Sequence, residues 1–121
     1  MAWELEADRP IYQQLAEIVR QRIIKGEYPQ GSRLPAVREL ALEAGVNPNT
    51  MQKALLALEE SGIVYSQRTS GRFVTEDEAL LEQLKYQAAR KHVLFFVKQM
   101  EGLGFSPQEL SSLIERVLQE I

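Results

Sequence analysis

The spacing of apolar residues changes along the chain, and each change marks a predicted element. Trp3, Leu5 and Ala7 alternate with acidic residues, which is the period-two pattern of a short half-buried strand. From Pro10 onward the apolar residues recur at helical spacing, and Gly26 ends that run. The sequence therefore predicts a short strand and then a first helix.

Two further helices follow, separated by a short turn. One covers residues 36–44 and is closed by Gly45. The other begins near Asn47, which is placed to cap it, and Pro48 fits its first turn because no amide donor is needed there. Its apolar face continues to Gly62. Two helices at this separation have the spacing of a helix-turn-helix.

A predicted hairpin comes directly after these helices. Residues 63–67 and 72–75 are rich in β-branched and aromatic side chains, and the loop over residues 68–71 reads Arg-Thr-Ser-Gly. A helix-turn-helix followed by such a hairpin is a winged helix.

The third helix presents a polar face on which candidate DNA contacts lie. Amide side chains can pair with base edges, whereas threonine, lysine and free helix N-terminal amides suit phosphates. The residues concerned are Asn47, Asn49, Thr50, Gln52 and Lys53, and no acidic residue occurs between positions 47 and 57. Ordinary caps and solvated surface are the alternative, but the adjoining basic hairpin favours DNA. Leu56 shares this face, where it can contact a thymine methyl, pack on the wing or lie beyond the groove.

Composition and charge exclude several other classes of protein. The 121 residues contain no cysteine, which excludes disulfides, thiolate metal sites and cysteine nucleophiles. His92 is the single histidine, so the chain has almost no residues for a histidine-rich metal site or a histidine-activated nucleophile. Neither a signal peptide nor a membrane-spanning apolar run is present in the sequence. We expect a cytoplasmic protein that is not an enzyme and has no cofactor. A net charge of −3 means that nucleic-acid binding would depend on a local arrangement.

Residues 9–75 resemble the GntR family of bacterial transcription regulators. The resemblance lies in residues 10–15, in residues 31–41, which include Leu-Pro-Ala-Val-Arg-Glu-Leu-Ala, in residues 45–50, Gly-Val-Asn-Pro-Asn-Thr, in residues 53–54 and 58–59, at Gly62, and in residues 71–74, Gly-Arg-Phe-Val. The Asn-Pro-Asn-Thr turn and the short tail are similar to the YtrA-type subfamily. The chain departs from the family pattern at Ala36, where a serine is common, at Thr69, where a glycine is frequent, and at Pro48, where related subfamilies carry a DNA-contacting arginine.

The resemblance implies roles for particular residues, since family members bind operator DNA as dimers. Arg38 would contact DNA, and Gly71 would enter the minor groove at the wing. Further implied DNA contacts are Arg33, Asn49, Thr50, Gln52, Lys53, Arg68, Ser70 and Arg72. Without the family, Arg38 would be interpreted as half of an exposed ion pair with Glu39.

The last part of the chain predicts two helices with an apolar stripe. One covers residues 76–101, and the next starts at a capping box formed by Ser106 and Glu109. The stripe consists of Leu81, Leu84, Ala88, Phe95, Leu110, Leu113, Ile114, Val117, Leu118 and Ile121. Pairing with a second copy would bury it, although the tail could instead pack on its own winged helix.

These observations predict a mainly α fold with a small β wing. An N-terminal winged helix-turn-helix over residues 1–75 would bind DNA, and a two-helix C-terminal tail over residues 76–121 would form the dimer. We expect a homodimeric repressor of a palindromic operator, with no membrane association and no identified effector. The YtrA-type resemblance suggests control of its own operon, including ABC transporter genes. The alternative is a winged-helix protein-interaction module that binds no operator.

Overall fold

The computed structural model describes residues 2–121 of the chain. In chain order its elements are α1 (Ile11–Lys25), α2 (Val37–Ala44), α3 (Pro48–Glu60), β1 (Val64–Gln67), β2 (Gly71–Val74), α4 (Glu78–Gly102) and α5 (Pro107–Glu120). They form two compact units, one ending at Glu82 and one covering Gln83–Ile121. The predicted fold class, a winged helix followed by two tail helices, is confirmed.

The first unit has its core between α1, α2, α3 and the small sheet. The predicted inward face of α3 is buried, since Met51, Ala54, Leu55 and Leu58 are at most 1% exposed. They pack with the buried side chains of the neighbouring elements, which include Leu15, Val19, Ile23, Leu40, Ile63, Val64 and Val74. Burial of this face turns the opposite, polar face of α3 outward.

Glycine ends α2 and allows the sharp turn into α3. Gly45 has φ 76°, in the left-handed region, and its amide donates to the carbonyl oxygens of Ala41 and Leu42. A Cβ at this position would come within 2.9 Å of the Ala2 methyl group. A side chain at position 45 would therefore face both backbone strain and a clash.

The wing is a two-stranded antiparallel sheet that is joined along one edge by the segment before α2. Register pairs run from Val64 with Val74 to Gln67 with Gly71. The amide of Val74 donates to the Ser32 carbonyl at 2.8 Å, and the amide of Leu34 donates to the Arg72 carbonyl at 2.8 Å. These bonds tie the hairpin to the loop that leads into α2.

The predicted strand at the N-terminus is wrong. Trp3 and Leu5 are half-buried, as the alternating pattern requires, but residues 2–10 contain no strand. The Trp3 amide donates to the Ala44 carbonyl at 3.2 Å. The Gln14 side chain accepts from the Glu6 amide and donates to the Glu6 carbonyl, each at 2.7 Å. A helix end and a side chain thus satisfy backbone groups that a neighbouring strand would otherwise have to pair.

A cluster around Glu43 fastens this N-terminal segment to α1 and α2. The Glu43 carboxylate accepts from Arg22 Nη1 at 2.6 Å and from Trp3 Nε1 at 2.7 Å. The Arg22 guanidinium also lies 4.5 Å from the centroid of the Trp3 ring. The hydrogen bond from Arg22 lowers the pKa of the Glu43 carboxyl; burial opposes that shift and the bond from Trp3 adds to it.

We expect Glu43→Gln to destabilise the protein near pH 7 and to have little effect at low pH. Because the pKa of Glu43 is lower in the folded chain, its contribution to stability is present at neutral pH and is lost as the pH falls through that lowered pKa. Glu43 is partly exposed, so the cost near pH 7 is about 1 kcal/mol. Thermal denaturation at pH 7 and pH 3, with Glu4→Gln as the control, checks this. An equal loss at both pH values would contradict it.

The second unit contains the C-terminal part of α4 and all of α5. The predicted capping box is confirmed: the Glu109 carboxylate accepts from the Ser106 amide at 2.9 Å and from the Ser106 hydroxyl at 3.0 Å. The bond from the Ser106 backbone lowers the pKa of Glu109. Between α4 and α5 lies an open apolar groove of about 390 Å³. Within residues 2–121, no helix is both long enough and apolar enough to span a bilayer.

Candidate nucleic-acid interface

The start of α3 presents amide and basic side chains to solvent. Asn47, Asn49, Gln52 and Lys53 are exposed, and Thr50 is half-buried. Asn47 is the N-cap, because its Oδ1 accepts from the Asn49 amide at 2.7 Å. This bond fixes the first turn of α3, so Asn49 and Gln52 project from an ordered helix start.

Lys53 is oriented by a contact with α1. Its Nζ lies 4.1 Å from the centroid of the Tyr12 ring. A cation held over an aromatic face is attracted by the ring quadrupole, and Lys53 is nevertheless exposed to solvent. This contact could not be predicted from the sequence, since helical spacing on α3 says nothing about which aromatic residue of α1 lies opposite.

Arg38 projects from the first turn of α2 and is exposed. The exposed ion pair with Glu39, its alternative role, does not form among residues 2–121. Glu39 instead accepts a long hydrogen bond from the Ala36 amide at its own helix end, at 3.4 Å. The Arg38 guanidinium is therefore not committed to that neighbour and can serve as a DNA contact.

The N-terminus of α2 lacks a side-chain cap because position 36 is alanine. Ala36 has φ −63° and ψ 155°, the extended backbone that capping residues adopt. We expect Ala36→Ser to stabilise the protein by about 1 kcal/mol, because the hydroxyl would accept a hydrogen bond from an unpaired amide of the first turn. Thermal denaturation measures this, with Ala36→Val as the matched change without an acceptor. Equal melting temperatures for Ala36→Ser and the parent would contradict the expectation.

The wing tip is polar, exposed and close to a further arginine. Arg68, Thr69 and Ser70 connect the strands and are all exposed. Gly71 has φ 105°, and a Cβ there would lie 2.9 Å from Arg33 Nε. The absence of a side chain at position 71 therefore gives the exposed Arg33 guanidinium its place beside the wing.

Arg72 is the one candidate DNA contact on the wing that forms a salt bridge among the described residues. Its Nε donates to the Glu59 carboxylate of α3 at 3.1 Å, with the side chains of Arg72 and Glu59 only 16% and 21% exposed. The Ser66 hydroxyl donates to the same carboxylate oxygen. Glu59 is among the residues that resemble the family, but the sequence gives it no partner, because no local pattern connects the end of a helix to a strand 13 residues later.

The residues predicted to form a dimer lie on α4 and α5, except Ile121, which directly follows α5. Leu110 is buried, whereas Leu81, Leu84, Ala88 and Leu113 are half-buried. The remaining five, Phe95, Ile114, Val117, Leu118 and Ile121, are between 40% and 93% exposed. Among residues 2–121, no group of acidic, histidine or cysteine side chains could hold a metal ion.

With this geometry in view, comparison with known proteins assigns the family. The model of the bacterial regulatory proteins of the gntR family matches residues 11–74, which include α1 to α3 and the wing. The chain belongs to the GntR family. Its members are transcriptional regulators with a DNA-binding domain, and they are not enzymes.

Relatives in Bacillus subtilis support the same assignment. The chain is 36% identical over 107 residues to the uncharacterized HTH-type transcriptional regulator YhcF, and the alignment covers 88% of each protein. It is 40% identical over 68 residues to the HTH-type transcriptional repressor YtrA, covering 56% of this chain and 52% of YtrA. Similarity to YhcF thus extends into the tail helices of this GntR protein.

Solved structures show the same fold. A GntR family transcriptional regulator from Listeria monocytogenes has a TM-score of 0.80 and 34% identity, covering 93% of this chain and 98% of that one. The DNA-binding domain of AraR, solved in complex with operator ORX1, has a TM-score of 0.54 and 29% identity, covering 62% of this chain and 92% of that one. The AraR structure thus shows a DNA-binding domain of similar fold in complex with operator DNA.

Proposed function

We propose that this GntR-family regulator is a homodimeric repressor that binds a two-fold symmetric operator. The observation that carries the proposal is the apolar surface of the second unit, which α4 and α5 leave uncovered. The groove between these helices is lined by Phe96, Met100, Leu113, Ile114, Val117 and Leu118. Leu118 is 62% exposed and Val117 is 46% exposed. Large exposed apolar patches of this kind mark interaction surfaces.

Apolar residues on α4 also point to a second copy of the chain. Residues 93–97 are five consecutive apolar residues, and Val93, Leu94 and Phe95 are between 44% and 64% exposed. Five consecutive residues of a helix cover all of its sides, and a helical segment that is apolar on all sides is normally buried on all sides. Since α5 lines only one side of α4, a partner helix from a second chain is the proposed cover for the rest.

Dimer formation and DNA binding support one another. A two-fold dimer presents two recognition helices, which read half-sites one helical turn, about 34 Å, apart or a multiple of that distance. The operator complex of AraR supports operator DNA as the partner. The proposed contacts are the exposed α3 residues, the wing tip, Arg33 and Arg38. Arg72 is included because its salt bridge with Glu59 joins the wing to α3.

The repressor role is supported by similarity to the repressor YtrA. The proposed target is the operon that encodes this protein, including ABC transporter genes, and the proposed compartment is the cytoplasm. A regulator of this size that binds its operator as a dimer can act by occupying the site. No effector is part of the proposal.

Sedimentation equilibrium at micromolar concentration tests the dimer. The expected mass is twice the 13.8 kDa of one chain, and titration of a duplex selected for binding should give two chains per duplex. Affinity for that duplex should fall log-linearly with salt, since phosphate contacts release counterions. A monomeric mass together with one chain per duplex would contradict the proposal.

A further inference from the structure

We propose that Glu59 is a positioning residue for DNA binding, because it fixes the wing to the recognition helix through Arg72 and Ser66. The inference rests on the proposed contact of the wing with DNA. It gives a defined role to an acidic residue that lies outside the proposed DNA contacts.

The geometry joins one carboxylate to both strands of the hairpin. Glu59 lies in the last turn of α3, Ser66 is on β1 and Arg72 is on β2. Ser66 and Arg72 are register partners, directly opposite each other in the sheet. Both donate to the Oε1 atom of Glu59, Arg72 through Nε at 3.1 Å. The end of the recognition helix therefore contacts the hairpin through one cross-strand pair, Ser66 and Arg72.

The burial of this pair sets it apart from the other ion pairs of the described residues. With side chains 16% and 21% exposed, it is the least exposed of the salt bridges found in residues 2–121. A partly buried pair is screened less by water and salt than a surface pair. Removing one partner leaves the other poorly compensated, so the pair constrains geometry more than a surface contact would.

The hairpin depends on outside contacts for its placement. Each strand has four residues, too short for an isolated hairpin to be stable in water. One edge is held by backbone hydrogen bonds to Ser32 and Leu34. The Glu59 carboxylate supplies a polar side-chain connection to α3, in addition to the packing of Val64 and Val74 in the core. If it is lost, the wing tip at residues 68–70 should sample more positions relative to the recognition helix.

Charge repulsion and wing positioning predict opposite changes in DNA affinity when the carboxylate of Glu59 is removed. A carboxylate repels the DNA backbone, so the loss of its charge alone should tighten binding. If Glu59 positions the wing, Glu59→Gln should weaken binding in spite of the more favourable net charge. Glu60→Gln is the matched control, because Glu60 is the next residue in the same helix, is exposed and carries the same charge.

The experiment measures the affinity of the parent and variants for a duplex that the parent selects, over a salt series. We expect Glu59→Gln to bind about tenfold more weakly, a loss within the range of interaction energies between residues in contact. Glu60→Gln should bind as well as the parent or better. Arg72→Gln should weaken binding, and the double variant should be no weaker than the weaker single variant. The slope against salt should stay unchanged in Glu59→Gln, since no phosphate contact is removed.

Two outcomes would overturn the inference. One is that Glu59→Gln binds as tightly as Glu60→Gln. The other is that the losses from Glu59→Gln and Arg72→Gln add in the double variant while Arg72→Gln lowers the salt slope, which would make Arg72 an independent phosphate contact. Circular dichroism checks folding, and Ser66→Ala, which removes only a hydroxyl, gives a milder variant that should weaken binding in the same direction. Failure of the parent to select any duplex would instead reject the proposed function.

Discussion

Leu118→Glu is expected to convert the proposed dimer into monomers and to weaken operator binding about 100-fold or more, a loss of about 3 kcal/mol. Leu118 lines the apolar groove of the second unit and is 62% exposed in the single chain. In the proposed dimer this side chain is covered, so the variant would bury a carboxylate without a partner. Two-fold symmetry places that charge in the interface twice.

Gln119→Glu is the matched control for this prediction. It adds the same charge to the adjacent residue of α5, which is exposed and does not line the groove. Sedimentation equilibrium and fluorescence anisotropy on a selected duplex measure mass and affinity together. If both variants remain dimers of equal stability, the groove is not the dimer interface.

Arg38→Ala is expected to weaken operator binding by about 30-fold, which corresponds to about 1 kcal/mol from each of two Arg38 side chains. Arg38 is exposed at the start of α2, and no salt bridge ties it to Glu39 among the described residues. A dimer presents this guanidinium to each half-site. If it contacts phosphate, the slope of log affinity against log salt should fall by about two.

Two variants separate a contact by Arg38 from a general charge effect. Arg90→Ala removes the same charge from an exposed position of α4, outside the winged helix, and should change affinity little. Arg38→Lys keeps the charge without the bidentate geometry, so it should fall between the parent and Arg38→Ala. Equal losses in Arg38→Ala and Arg90→Ala would show that net charge, and not a local contact, controls binding.

Elements with local signals could be predicted from the sequence. Asn47 followed by Pro48 marks the start of α3, and the Ser106–Glu109 box marks the start of α5. The buried face of α3 followed from helical spacing alone. Each of these signals depends on residues within a few positions of one another, so no tertiary information is needed.

The features that were missed depend on contacts between distant parts of the chain. The alternation of Trp3 and Leu5 indicated a strand, but Ala44 and Gln14 satisfy that backbone instead. The same limitation applies to the Glu59–Arg72 pair and to Lys53 above Tyr12. Sequence spacing gives the face on which a side chain lies, whereas its partner is set by how the elements pack.

The candidate DNA-binding face contains features that the sequence predicts and features that only the fold reveals. Residues at the start of α3 project outward as the helical pattern predicted, because the opposite face is buried. The resemblance implied a contact for Arg33, but its place beside Gly71 became visible only in the folded wing. Packing therefore determines where each basic side chain lies, even where the sequence already identifies the residue as a candidate DNA contact.

Selection of bound sequences from a random duplex pool, at near-physiological salt, tests most directly the claim that a dimer of this chain reads a symmetric operator. We expect the parent to enrich a two-fold symmetric site and Arg38→Ala to enrich it far more weakly under the same conditions. Enrichment of a single asymmetric half-site, or of no sequence at any salt concentration, would contradict it.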